Sequence, residues 1–93
     1  MIRSFRDRRT EDLFYREASP VWSGIARVAL RRLRLLHRAA LLGDLRVPPG
    51  NRLEALRGDR AGQYSIRIND QYRVCFRWRD GDAYDVEVTD YHR

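Results

Sequence analysis

Three stretches between Tyr64 and Val88 alternate apolar and polar residues, the period of pleated strands with one buried face. Tyr64, Ile66 and Ile68 alternate with Ser65 and Arg67; Tyr72, Val74, Phe76 and Trp78 with Arg73, Cys75 and Arg77; Tyr84, Val86 and Val88 with Asp85, Glu87 and Thr89. Asn69-Asp70 and Asp80-Gly81-Asp82 supply the turns between them. The pattern predicts an antiparallel meander. Its register is constrained too, because a slip of one residue would send every apolar side chain to the wrong face. Ile66 beside Val74, and Val74 beside Val88, keeps the hydrophobes together and requires a three-residue loop at Asp80-Gly81-Asp82.

The period changes upstream. Thr10, followed by Glu11 and Asp12, reads as a helix start, a hydroxyl cap with acids in the first turn, and that helix runs to about Glu17. Ser19-Pro20 restarts the chain as cap and first helical residue. From Pro20 to about Leu42, Trp22, Ile25, Ala26, Ala29, Leu33, Leu36 and Ala40 fall on one helical face, and Gly43 ends the helix. Val47-Pro48-Pro49-Gly50 is a loop, and Ile2 and Phe5 alternating with Arg3 and Arg6 suit a short strand. The expected fold is α+β: two N-terminal helices covering one face of a small antiparallel sheet, in a single domain spanning residues 1–93.

The strand register has an electrostatic consequence. Arg67 falls directly opposite Arg73 with no acid assigned to either, whereas Arg77 falls opposite Asp85. Like charges across a sheet repel by about 0.2–1 kcal/mol, so an unpaired arginine pair either forms a phosphate clamp or splays into solvent. On the long helix Arg27, Arg31, Arg34 and Arg38 lie opposite the apolar face, four guanidinium groups in a narrow arc. They form either a solvated face or a surface for RNA phosphates. All 19 basic residues are arginine, and the net charge of +6 directs attention to nucleic acid or to an acidic protein that imitates it. A coding bias would produce the same arginine usage, but every cation here is still a planar fork.

Other classes are excluded. One cysteine, Cys75, gives no internal disulfide and no thiolate cluster for zinc, and without an adjacent histidine it reads as inert. Arginines interrupt every apolar stretch, so no membrane span is expected, and the amino terminus has no secretory pattern. The expectation is a complete, reduced, cytoplasmic protein. Trp22, Trp78 and a half-buried His37 read as core or edge residues.

The run GDRAGQYSIRINDQYRVCFRW, followed by DGDAYDVEVTDYH, resembles the RelE/ParE superfamily of toxins and, within it, the HigB-like branch of type II toxin-antitoxin systems. The resemblance covers essentially the whole chain and is most specific from Asn51 to His92. It implies a ribosome-dependent endoribonuclease that cuts messenger RNA and is neutralised by a HigA-like helix-turn-helix antitoxin. It also implies that Arg57, Arg73, Asp90, Tyr91 and His92 line the catalytic face; Arg67 is added from the register. Glu54 stands three residues before Arg57, where some relatives carry histidine.

The chemistry implied uses the 2′-hydroxyl of the substrate as nucleophile and no metal or cofactor, because the acids lack a convergent ligand pattern. Arg73 and Arg57 would bind the scissile phosphate, and His92 or Glu54 would take the proton. Tyr91 would position or stack a base, and Asp90 would orient His92 or an arginine. The toxin is expected to be monomeric outside the antitoxin complex. Two rival readings share the scaffold: a ParE-like inhibitor of DNA gyrase, and a non-catalytic nucleic-acid-binding module.

Overall fold

The computed structural model describes residues 1–17, 19 and 21–90. Pro20, Tyr91 and His92, each assigned a role from the sequence, lie outside the described residues. Two helices, α1 (Arg8–Arg16) and α2 (Ala26–Arg38), pack on a four-stranded antiparallel sheet ordered β1 (Glu54–Ala55), β2 (Tyr64–Arg67), β3 (Tyr72–Arg79) and β4 (Asp82–Asp90). The α+β expectation holds. Leu13, Ala29, Leu33 and Leu36 from the helices meet Ile66, Val74, Phe76, Val86 and Val88 from the sheet in one buried core.

The helix boundaries differ from the sequence reading, each through a side chain that competes for backbone amides. Asp7, not Thr10, caps α1, its carboxylate accepting from the Thr10 amide at 2.8 Å. Thr10 is instead fully buried, and its Oγ1 accepts from the Val88 amide at 3.0 Å. Ser19 Oγ takes the amides of Val21 and Trp22, and the Ile25 amide closes a turn on the Trp22 carbonyl, so α2 begins only at Ala26. At the other end Asp44 accepts from the amides of Ala40 and Leu41, which releases the chain from α2 at Arg38 and places Gly43 in a short 3-10 helix, Leu42–Arg46. Ala40 is consequently exposed rather than on the buried face.

The register pairs Ile66 with Val74, Val74 with Val88 and Arg67 with Arg73, as the sequence predicts. Beyond Cys75 it shifts. Asp85 adopts a left-handed backbone, φ 51°, and bulges out of β4, so Arg77 faces Tyr84 rather than Asp85 and Arg79 faces Asp82. The connection therefore tightens to a two-residue turn, Asp80-Gly81, with positive φ at both positions. Tyr84 leaves the face of Val86 and Val88 and joins Arg77 on the other side of the sheet. The Arg77–Asp85 ion pair survives at 3.6 Å between exposed partners.

The bulge serves the outer edge of β4. The N-terminal segment runs parallel to that edge, with bridges Ile2–Ala83 and Phe5–Val86, so the predicted short strand is two isolated bridges rather than a ladder. Ser4 Oγ accepts from the Asp85 amide and Thr10 Oγ1 from that of Val88. The outward amides of Ala83, Asp85, Val86 and Val88 are thus taken up within the chain.

Candidate active site

The sheet face turned away from the helices is built from the residues that alternate with the core. Across its four strands one row reads Glu54, Ser65, Cys75, Glu87, and the adjacent row reads Arg67, Arg73, Thr89. Strand β1 was not apparent from the sequence, since it is two residues long and follows a proline-glycine loop. It is held in place from below: fully buried Asn51 donates from Nδ2 to the carbonyls of Leu45 and Val47, both at 3.2 Å. The Leu56 amide then fastens to the Gln63 carbonyl at 2.8 Å, which lays Glu54 beside β2.

Arg73 is the centre of this face. Its Nε donates to Ser65 Oγ at 2.7 Å, its Nη2 donates to the Arg52 carbonyl at 2.7 Å, and its Nη1 lies 3.6 Å from Glu54 Oε1. Only 11% of the side chain is exposed, so the guanidinium is oriented before any substrate arrives. Arg67 donates from Nη2 to the carboxylate of Asp70 at the turn. Both arginines therefore carry acid partners, which corrects the unpaired clamp expected from the register: Glu54 reaches Arg73 from β1, and Asp70 reaches Arg67 from the tight turn three residues on. Arg57 is exposed and precedes the turn Gly58–Arg60, and no carboxylate among the described residues pairs with it. Asp90 pairs with Tyr72 at the end of β4, and its Oδ2 accepts from Gln71 Nε2 at 2.9 Å.

Sequence reasoning missed the most deeply buried acid on this face. Glu87, 7% exposed, uses both oxygens: Oε1 accepts from Arg60 and Oε2 pairs with Arg6, each at 2.9 Å. Arg60 also donates to Gln63 Oε1. Glu87 occupies a polar position in its alternation and so reads as solvent-facing; the two arginines that cover it come from distant parts of the chain. Beside it, burial pushes the Cys75 thiol up to about 11, with the arginines only partly opposing, so it stays protonated and inert at neutral pH. Among the described residues, no three His, Cys, Asp or Glu side chains converge as a metal-ligand set.

Arg27, Arg31, Arg34 and Arg38 form an exposed stripe on α2, flanking an open groove with Glu17 and Ser23, and Arg34 is paired with Glu17. Arg32, which the sequence reading passed over, donates from Nε to the Arg67 carbonyl at 3.0 Å. Burial, with repulsion from Arg31 and Arg67, lowers its proton affinity below that of an ordinary arginine. That contact joins α2 to the end of β2. His37 Nδ1 accepts from the Ile2 amide at 3.1 Å, and Trp22 and Trp78 pack in or against the core as expected.

Solved structures with this architecture include a mutant of YafQ from E. coli, TM-score 0.55 at 10% identity, covering 97% of this chain and 93% of that one. The YoeB/ParE toxin from Agrobacterium tumefaciens has a TM-score of 0.57 at 17% identity, covering 98% and 100%. At such identities the likeness is one of fold, and the fold is that of the RelE-like toxins. Residues 3–92 match the family model described as the RelE-like toxin of type II toxin-antitoxin system HigB, and the chain belongs to that HigB-like family.

Relatives include Toxin HigB-1 of Vibrio cholerae, 49% identical over 61 residues, which are 66% of this chain and 64% of that protein. An uncharacterized protein of Haemophilus influenzae is 34% identical over 65 residues, again 64% of its length. Endoribonuclease HigB of Proteus vulgaris is 33% identical over 99% of this chain and its own full length. The chain thus matches just under two thirds of the first two relatives and the whole of the third.

Proposed function

We propose that this chain is the toxin of a type II toxin-antitoxin pair and acts in the cytoplasm as a ribosome-dependent endoribonuclease on messenger RNA. The observation that carries the reading is the Arg73–Glu54 arrangement: a guanidinium fixed by Ser65 and Arg52, with a carboxylate 3.6 Å away on the same sheet face. A fixed cation and a proton acceptor are the two things that 2′-hydroxyl attack on a phosphodiester needs from a protein. The name of the Proteus relative, matched along its full length, points the same way.

In the proposed reaction the substrate 2′-oxygen bonds to phosphorus while the bond from phosphorus to the 5′-oxygen breaks, leaving a 2′,3′-cyclic phosphate. Arg73 and Arg57 bind the phosphate and stabilise the charge that develops on it, and Arg67 holds a neighbouring one. The 2′ proton passes to Glu54 or His92, and the departing 5′-oxygen takes its proton from water. Tyr91 positions a base; Asp90 orients His92 or an arginine. The α2 stripe of Arg27, Arg31, Arg34 and Arg38 contacts ribosomal RNA phosphates. A HigA-like helix-turn-helix antitoxin neutralises the toxin, which is otherwise monomeric. Primer extension on messenger RNA after brief induction tests this: cuts that require translating ribosomes are expected, and intact message during growth arrest would refute it.

A further inference from the structure

At the hairpin end of the sheet, remote from Asp90, lies a depression that the mechanism above does not use. Gly62, Arg77, Trp78, Arg79, Tyr84 and Asp85 enclose an open volume of about 410 Å³. The bulge at Asp85 creates it by turning Tyr84 onto the same face as Arg77. The Arg79 guanidinium lies over the Tyr84 ring, 4.7 Å from its centroid. Gly62 sits at φ +92°, and a Cβ there would come within 2.9 Å of Arg77 Nη1. The loop before β2 therefore passes against the tip of the Arg77 side chain, and the positive φ is what calls for glycine at this position.

A cation stacked on an aromatic face, with a second guanidinium beside it, is the equipment with which proteins hold an unpaired nucleotide. The lining is guanidinium, carboxylate and aromatic rather than aliphatic, so it favours stacking and charge over docking of an apolar helix. Asp85 is 3.6 Å from Arg77 Nε with both side chains about half exposed, a solvent-screened pair that a phosphate can displace. Arg77 follows Arg73 by four residues on the same face of β3, about 13 Å at the usual strand rise.

We propose that this depression is a subsite for a nucleotide of the single-stranded message away from the cut. Its base stacks on the Tyr84–Arg79 pair and its phosphate rests on Arg77. The proposal builds on the nuclease reading of the Arg73 face and extends the RNA path along β3.

The test is single-turnover cleavage of ribosome-bound message at varied toxin concentration, with a melting curve for each variant. Tyr84→Ala and Arg79→Gln are each expected to raise the half-saturating concentration about tenfold, within the range for loss of one base stack. The maximal rate should stay within about twofold, and Tyr84→Phe, which keeps the ring, should behave as wild type. Arg79 is exposed, so its variant reads the subsite even if Tyr84→Ala melts early. In parallel, 4-thiouridine in a message made uncleavable by 2′-deoxy substitution at the cut should crosslink to the peptide containing residues 77–85. Unchanged half-saturation in both variants, or crosslinks only elsewhere, would overturn the subsite while leaving the nuclease intact. Failure of the wild type to cut or crosslink any message would overturn the nuclease reading and the subsite with it.

Discussion

Glu54 and Arg73 belong to strands that do not touch, yet their side chains meet at 3.6 Å across Ser65 on the intervening strand. The contact depends on a two-residue strand held by buried Asn51, so the loop before the sheet is part of the site. In the proposed reaction Glu54 is a proton acceptor already beside its phosphate-binding partner.

Glu54→Gln keeps the shape of the side chain and removes its basicity. Single-turnover cleavage of ribosome-bound message is expected to slow by about 10²- to 10⁴-fold, with little change in half-saturation. Glu54→His should restore a substantial part of the rate, because an imidazole accepts a proton near neutrality. A full rate in Glu54→Gln would shift the acceptor role to His92.

Thr10 shows how edge protection and stability are linked. Thr10→Val preserves volume but strands the buried Val88 amide that now donates to Oγ1 at 3.0 Å. The cost expected is about 1–3 kcal/mol in urea unfolding, with an unchanged denaturant slope. A loss below a few tenths would mean that the hydroxyl is dispensable.

Such a role could not be read from the sequence, because Asp7 and Thr10 are both competent caps and only the tertiary fold decides between them. The meander was readable because alternation fixes faces, and Ile66, Val74 and Val88 fix the register. The Asp85 bulge was not: it is a backbone event that puts Tyr84 on the other face, brings Ala83 into the core, and gives Arg77, Trp78 and Arg79 new partners across the hairpin. Glu54 was found through resemblance and Arg73 through register as well. Their acid–base contact required β1, which is too short to show a period. Glu87 stayed hidden because burial on a polar face needs knowledge of Arg6 and Arg60, 81 and 27 positions away in the chain.

Cys75 gives a dependence on pH. Its thiol is raised from 9.0 to about 11 by burial, so the folded state favours the neutral form. The stability this contributes is fully present below pH 9 and is lost as pH rises through about 11, a loss of about 2–3 kcal/mol. Urea unfolding of the wild type and Cys75→Ala across that range should show the wild type falling more steeply. Parallel curves would place the thiol in contact with solvent.

The α2 stripe is exposed, so its charge is separable from the fold. Arg31→Glu combined with Arg38→Glu should leave the melting temperature nearly unchanged and weaken ribosome binding. The slope of log affinity against log salt should fall by about 2, roughly one for each phosphate no longer neutralised by an arginine. An unaltered slope would make the stripe a solvated face with no RNA role.

The sharpest test is single-turnover cleavage of ribosome-bound message by Arg73→Ala. The variant should remain folded with a modest loss of stability of about 1–3 kcal/mol, since Arg73 hydrogen-bonds Ser65 and the Arg52 carbonyl. Its maximal rate should drop at least about a hundredfold, as removal of one charge-stabilising donor does in other active sites. A folded Arg73→Ala protein that cuts within about threefold of the wild-type rate would contradict the assignment of this sheet face as the seat of the scissile phosphate.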